Sequence, residues 1–307
     1  MKNYYSYLVA VGMFLSTIVT SCNKDEDDIV PGPMQMTTKI TGEVLIGVYG
    51  TGSATIDWGD GSAEETKMFT DEILIFNHNY STSNIRIIRI YGENISILHC
   101  SGNQLTSLDV SGNAVLRDLS CSDNQLTSLN VSKNLLLNAL GCSGNQLTAL
   151  DVSKNKGLNT LDCNNNQLTR LNVGDNLELV NLGCSRNQLT SLDVSENAAL
   201  KVLYCSDNQL TRLDVSKNLF LYFLDCSHNQ LTSLDMKNNT TLFGLECFSN
   251  QLSAVALDAL FGSLHSNDIS LFEGLTKYIS IYGNPGTTTC SSNIATNKGW
   301  TVNMIKR

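Results

Sequence analysis

A chain of 307 residues has room for one large domain or two to three small ones. With 42% hydrophobic and 16% charged residues it is too apolar to be disordered, and 29 acidic against 20 basic residues give a formal charge of −9. Such a surface discourages nucleic acid and anionic lipid as partners, because no basic patch is present to neutralise phosphates.

The chain opens with Lys2 and an apolar run over residues 7–19, which has signal-peptide length and is too short for a comfortable membrane span. The run ends in Val19-Thr20-Ser21-Cys22. This ending resembles the lipobox of bacterial lipoproteins. The resemblance implies that residues 1–21 are a signal peptide and that Cys22, the new amino terminus, carries the acyl chains, palmitate among them, of an outer-membrane anchor. Burial of each CH₂ is worth about 0.8 kcal/mol, so several chains hold a protein to a bilayer. Residues 22–36 read as a tether: Asn23-Lys24-Asp25-Glu26-Asp27-Asp28 is a solvated charge run, and Pro31-Gly32-Pro33 cannot pack. The charge run also resembles the stretch that routes lipoproteins of Bacteroidetes to the outer face of the outer membrane. A plain spacer facing the periplasm is the alternative.

Residues 37–94 alternate with period two in short runs: Val44, Ile46 and Val48; Ala54 and Ile56; Ile73 and Ile75; Ile85, Ile87 and Ile90. Five or six such strands predict a small β-sandwich. The segment Asp57-Trp58-Gly59-Asp60-Gly61, followed by His78-Asn79-Tyr80, resembles the polycystic-kidney-disease (PKD) type of immunoglobulin-like module. Asp57, Asp60 and Asp71 are oxygen donors, but they fall short of the six or more ligands that calcium requires. An edge strand missing from so short a sandwich is expected to be completed by the chain beyond residue 94.

That stretch of chain is a repeat. Cys100, Cys121, Cys142, Cys163, Cys184, Cys205, Cys226 and Cys247 are spaced 21 residues apart without an insertion. One unit reads Leu116-Arg117-Asp118-Leu119-Ser120-Cys121-Ser122-Asp123-Asn124-Gln125-Leu126. The frame Leu-x-x-Leu-x-Cys-x-x-Asn-x-Leu resembles leucine-rich repeats, and within them the 21-residue cysteine-ladder subclass of internalin-like bacterial surface proteins. Residues 95–257 are therefore expected to form a solenoid of eight coils with one short parallel strand each. Leu98, Cys100, Leu105, Leu108, Val110 and their equivalents point inward. Asn103, Asn124, Asn145, Asn166, Asn187, Asn208, Asn229 and Asn250 support one corner of each coil. A second series, Asn113 to Asn239 at the same period, supports the other. The ladder cysteines are read as buried thiols. Equivalent residues on adjacent parallel strands lie about 4.8 Å apart without converging, whereas a disulfide needs Cβ atoms about 3.8 Å apart.

Residues 258–307 are expected to be a cap. A short helix over residues 257–264 covers the open core, residues 278–282 form a strand, 291–298 a second helix and 300–302 a last strand. The fold class expected is thus mainly β: a leucine-rich-repeat solenoid of 21-residue coils, preceded by a small Ig-like β-sandwich and closed by a short α/β cap.

Chemistry is sparse. His78, His99, His228 and His265 are not spaced as metal pairs, no phosphate-binding loop is present, and no cofactor or metal is expected. Strand alternation turns outward the residue between Leu and Cys and the residue before the Leu. In the early coils these are mostly small or polar. In the sixth to eighth they include Val202, Tyr204, Phe223, Asp225 and Glu246, with Lys201 and Tyr222 at the rim. An aromatic group with a charged border is the composition of a contact surface. The expected function is a non-catalytic binding or adhesion module at the cell surface, a monomer with a protein or glycan ligand. The alternatives are a structural spacer or accessory subunit of a surface complex and, further off, a carbohydrate-processing enzyme using Asp225 and Glu246, for which a smooth face offers nothing to raise a carboxyl pKa.

Overall fold

A computed structural model describes residues 32–267 and 276–306. The signal segment, Cys22 and most of the tether lie outside the described residues.

The N-terminal region is antiparallel. Its strands are β1 (Met34–Thr38), β2 (Gly42–Thr51), β3 (Ser53–Asp57), β4 (Glu65–Met68), β5 (Leu74–Tyr80) and β6 (Arg86–Tyr91). In β2 the alternation of Val44, Ile46 and Val48 faces the core, as read from the sequence. In two other strands the phase is the opposite of that reading. Phe76 is buried and Ile75 is 53% exposed, because Ile46 pairs with Phe76 on the inner face while Ile75 stands opposite Gly47 on the outer one. Likewise Ile88 and Ile90 are buried while Ile85 and Ile87 face water. When both faces of a strand carry apolar residues, period two gives the alternation but not its phase.

The residues of the Trp-Gly-Asp-Gly turn and the His-x-Tyr strand meet in space. His78 stacks on Trp58 with ring centroids 4.9 Å apart, its Nε2 lies 2.7 Å from Asp60 Oδ2, and the Tyr80 hydroxyl donates to the Trp58 carbonyl. Gly59, at φ +70°, lets the turn press against the Ile87 backbone, where a Cβ would stand 2.3 Å from the Ile87 carbonyl oxygen. Asp57 accepts from Arg89 and from the Gly59 amide, so its oxygens are engaged within the protein. Among the described residues no group of three His, Cys, Asp or Glu is placed to hold a metal ion.

Neither sheet of this region stops at residue 94. Strand β7 (Asn94–His99) pairs antiparallel with β2, and strand β8 (Leu105–Asp109) pairs antiparallel with β1. Both belong to the first coil. The next seven coils contribute β9 (Asp118–Ser120), β10 (Ala139–Gly141), β11 (Thr160–Asp162), β12 (Asn181–Gly183), β13 (Val202–Tyr204), β14 (Phe223–Asp225) and β15 (Gly244–Glu246). Strand β7 pairs parallel with β9, and the central leucines stay in register from Leu98 through Leu119, Leu140, Leu161, Leu182, Leu203 and Leu224 to Leu245. The apolar side chains of each coil enter one shared core in which every ladder cysteine is 0% exposed. The chain is a mainly β leucine-rich-repeat solenoid of 21-residue coils.

Two corners turn each coil. At the first, the residue before the Asn takes the left-handed conformation: Gly102, Asp123, Gly144, Asn165, Arg186, Asp207, His228 and Ser249 all have positive φ. The Asn then ties three chain segments together. Asn187 Nδ2 donates to the carbonyls of Cys163 (3.0 Å), Cys184 (3.1 Å) and Ser185 (3.2 Å), and its Oδ1 accepts from the Leu168 amide (3.0 Å). At the second corner Asn197 Nδ2 donates to Val173 and Asn176 carbonyls, both at 2.9 Å. The first-corner device reaches back into the antiparallel region, where Asn103 exchanges hydrogen bonds with the Leu45 backbone in both directions.

The far end departs from the expectation. Helix α1 (Ala254–Ser263) begins earlier than the sequence suggests, with Ser253 as its N-cap accepting from the Ala256 amide. Its Leu257, Leu260 and Phe261 seal the core, and Lys298 Nζ closes its last turn by donating to the carbonyls of Phe261, Gly262 and Leu264. Beyond it, β16 (Tyr278–Ser280), the short helix α2 (Asn293–Thr296) and β17 (Thr301–Asn303) complete the chain. The repeat does not end at the eighth coil: β16 pairs parallel with β15, with Ile279 opposite Leu245, and β17 adds a further rung. Asn284 does the work of a first-corner asparagine, donating to the Cys247 and Ile281 carbonyls and accepting from the amides of Asn250 and Leu252. Ile279-x-Ile281-x-x-Asn284 is the repeat frame with isoleucine in the leucine and cysteine positions.

Candidate binding surface

From the second coil onward the parallel strands are only three residues long, so each coil presents two outward side chains on either side of a buried leucine. On the early coils these are mostly small or polar, as with Ala139, Gly141, Thr160 and Asp162. Rings accumulate from the sixth coil onward.

Tyr204 and Phe223 lie with centroids 5.1 Å apart. Gly244 is the reason Phe223 can extend across the next coil: a Cβ there would stand 2.7 Å from Phe223 Cδ2 and 3.2 Å from Tyr278 Cε1. Phe223, Gly244 and Tyr278 are neighbours in register, so two rings share the space over one glycine. Tyr222 stacks on Phe243 at 5.5 Å, and at the turn beyond the strands Phe248 stacks on Tyr282 at 4.2 Å with His228 edge-on at 5.0 Å. All of these rings remain partly exposed.

Of the residues singled out from the sequence, Tyr204, Tyr222, Phe223, Asp225 and Glu246 fall together here. Val202 does not contribute: it is 7% exposed, in register between Asn181 and Phe223 of the flanking coils. Sequence reasoning missed Phe243, Phe248, Tyr278 and Tyr282. The frame around Ile279 and Asn284 carried the signal for Tyr278 and Tyr282, hidden by the exchange of leucine and cysteine for isoleucine.

Asp225 and Glu246 stand opposite each other on β14 and β15. Asp225 Oδ1 accepts from the Ser227 amide (3.1 Å) and hydroxyl (2.6 Å), while Glu246 is bonded to the hydroxyls of Ser280 and Tyr278. Contrary to the expectation of a featureless face, burial pushes both carboxyl pKa values up, and the charge of Asp225 adds to the effect on Glu246. Asp162 is raised by burial as well. A glycosidase needs one acid and one ionised carboxylate, set apart by different environments. Here burial displaces both groups in the same direction.

No family model and no curated protein matches the chain. Solved structures do. The functional domain of InlJ from Listeria monocytogenes, which includes a cysteine ladder, is similar over 73% of this chain and 51% of that one, with 28% identity and a TM-score of 0.52. The leucine-rich-repeat protein LIC12759 of Leptospira interrogans is 20% identical over 67% of this chain and 59% of that one, at a TM-score of 0.50. The leucine-rich repeat domain of APL1B is 20% identical over 68% and 61%, at 0.56. The chain thus spans about half to three-fifths of the length of these three structures. The last two likenesses are of fold alone.

Proposed function

We propose that this chain is a non-catalytic binding module of the bacterial cell surface, anchored by lipid at Cys22, that holds a macromolecular ligand on the strand face of its last coils. The observation that carries the reading is the concentration of rings from the sixth coil onward, on a face whose earlier coils are mostly small or polar. Rigid rings supply contact area at little entropic cost, which is what an anchor of a binding interface requires. The similarity to the InlJ domain supports the cysteine-ladder repeat architecture on which this reading rests.

The unlipidated chain, with Cys22→Ser, is to be probed against arrays of proteins and glycans, and each ligand retested with Tyr204→Ala, Phe223→Ala. Loss of binding with an unchanged melting curve is expected, since the inward ladder is untouched; undiminished binding assigns the contact elsewhere. The same Cys22→Ser substitution is expected to release the protein from the outer-membrane fraction. Retention there would mean a different anchor. The resemblance of the Trp58 turn to PKD-type modules fits a surface protein whose N-terminal region is a spacer between lipid and solenoid.

A further inference from the structure

Among the described residues no ion pair reaches the two in-register carboxyl groups of Asp225 and Glu246: the pairs are Lys67 with Glu65, His78 with Asp60, Arg89 with Asp57, His99 with Asp118 and Arg186 with Asp207. Neighbouring strands bring the two groups to about 4.8 Å spacing, partly withdrawn from water, where like charges repel. Aromatic rings flank them on the β13 side and along the adjacent outward row, while Ser280 is the in-register neighbour of Glu246 on the other side. Tyr204 is the in-register neighbour of Asp225. Phe223 and Tyr278 occupy the adjacent row, meeting over Gly244. Beyond the strands lies the Phe248–Tyr282 stack; burial raises the pKa of the Tyr282 and Tyr278 phenols, and the charges of Glu246 and Asp225 add to the effect on both.

We propose that Asp225, Glu246 and the rings of Tyr204, Phe223 and Tyr278 form a receptor for an organic cation, the side-chain head of a lysine or arginine presented by a protein partner. The assignment rests on the reading of this face as the binding surface and adds the chemistry of what it binds. Charge complementarity selects the ligand. A cation placed between the carboxylates removes their mutual repulsion and is held by ring faces whose quadrupoles attract positive charge. A neutral sugar could stack on the same rings but would leave the repulsion in place. Protons compete with the cation for the same oxygens, so binding weakens on acidification into the raised carboxyl range and releases protons at the onset of that range.

The test is calorimetric titration of the full chain with Nα-acetyl-lysine methylamide, its arginine counterpart and the neutral norleucine isostere. The two cations are expected to bind about tenfold or more tightly than norleucine, with proton release under mildly acidic conditions and loss of the preference in Glu246→Gln. Glutamine keeps a carbonyl to accept from Tyr278 or Ser280, and the isostere comparison on the unaltered chain does not depend on that variant folding. Equal binding of norleucine, or an undiminished cation preference in Glu246→Gln, overturns the cation site. A glycan that binds through Tyr204 and Phe223 while lysine does not bind also overturns it, yet leaves the binding face standing. Capture of a protein ligand that is indifferent to Tyr204→Ala, Phe223→Ala overturns the face itself.

Discussion

Cys184 sits near the middle of a file of buried thiols, and burial pushes its own pKa up to about 12, so the thiolate that nucleophilic chemistry needs is not available to it at neutral pH. It serves as a small hydrophobe. Cys184→Asp is expected to cost about 3–5 kcal/mol because it places an unpaired acid in a closed core; an unchanged melting curve would show that the ladder does not face inward. Alkylation of the native protein is expected to spare all eight ladder cysteines and to reach half-buried Cys290 first. The two asparagine series are not equivalent. Asn187 donates to three carbonyls and accepts one amide, whereas Asn197 donates to two and its buried Oδ1 has no partner among the described residues. Replacing Asn187 with alanine strands more backbone groups and is expected to destabilise by about 3 kcal/mol, more than Asn197→Ala; equal denaturation midpoints would refute the ranking. The inward residues were legible at this scale because a fixed 21-residue period writes each position eight times. Val202 was not, because whether an outward valine is covered depends on the size of its neighbours on the flanking coils, which periodicity does not encode.

At the scale of the element, the first corner of each coil depends on one residue in the left-handed region. Where that residue is Gly144, at φ +65°, a side chain would also meet Asp123 at 2.4 Å. Gly144→Val is expected to cost about 1–3 kcal/mol in chemical denaturation, while the nearby Gly157 carries no positive-φ demand and serves as the control. The corner's position followed from the Asn spacing, but its handedness did not: Asp123, Arg186, His228 and Ser249 share it without any common chemistry. The ninth coil illustrates a different limit. Its strand and corner were spelled in the sequence, but α1 and the connection after it displace Asn284 from the 21-residue period. The eye follows cysteine, whereas the core asks only for an apolar side chain of suitable volume.

Across the whole molecule, two sets of carboxyl groups oppose each other. Asp162, Asp225 and Glu246 are raised, so the folded chain takes up protons before the unfolded one does; acidification from neutrality into that window stabilises it, and the gain is complete once pH falls below the ordinary values of 3.8 and 4.5. Asp60, Asp151, Asp193 and Asp214 are lowered, chiefly by bonds from Ser62, Ser153, Ser195 and Ser216, so their contribution is present above 3.8 and lost as pH falls through their folded values. Stability is therefore expected to pass through a maximum at mildly acidic pH, near the upper edge of the carboxylate range. Thermal melts across the acidic range would check it, and a steady decline from neutrality downward would count against the burial of the three acids.

The stacked rungs also have a mechanical meaning. Hydrogen bonds between parallel strands point along the direction in which the coils stack. A load applied between residue 32 and the Tyr278 rung is carried along those bonds rather than across them, so the rungs separate in succession instead of shearing together. Each coil that opens releases 21 residues of slack, about 70 Å of extended chain. Pulled from its two ends, the solenoid is expected to lengthen in a series of near-equal steps at low force, a damper that dissipates a tug on the ligand before the grip on it fails.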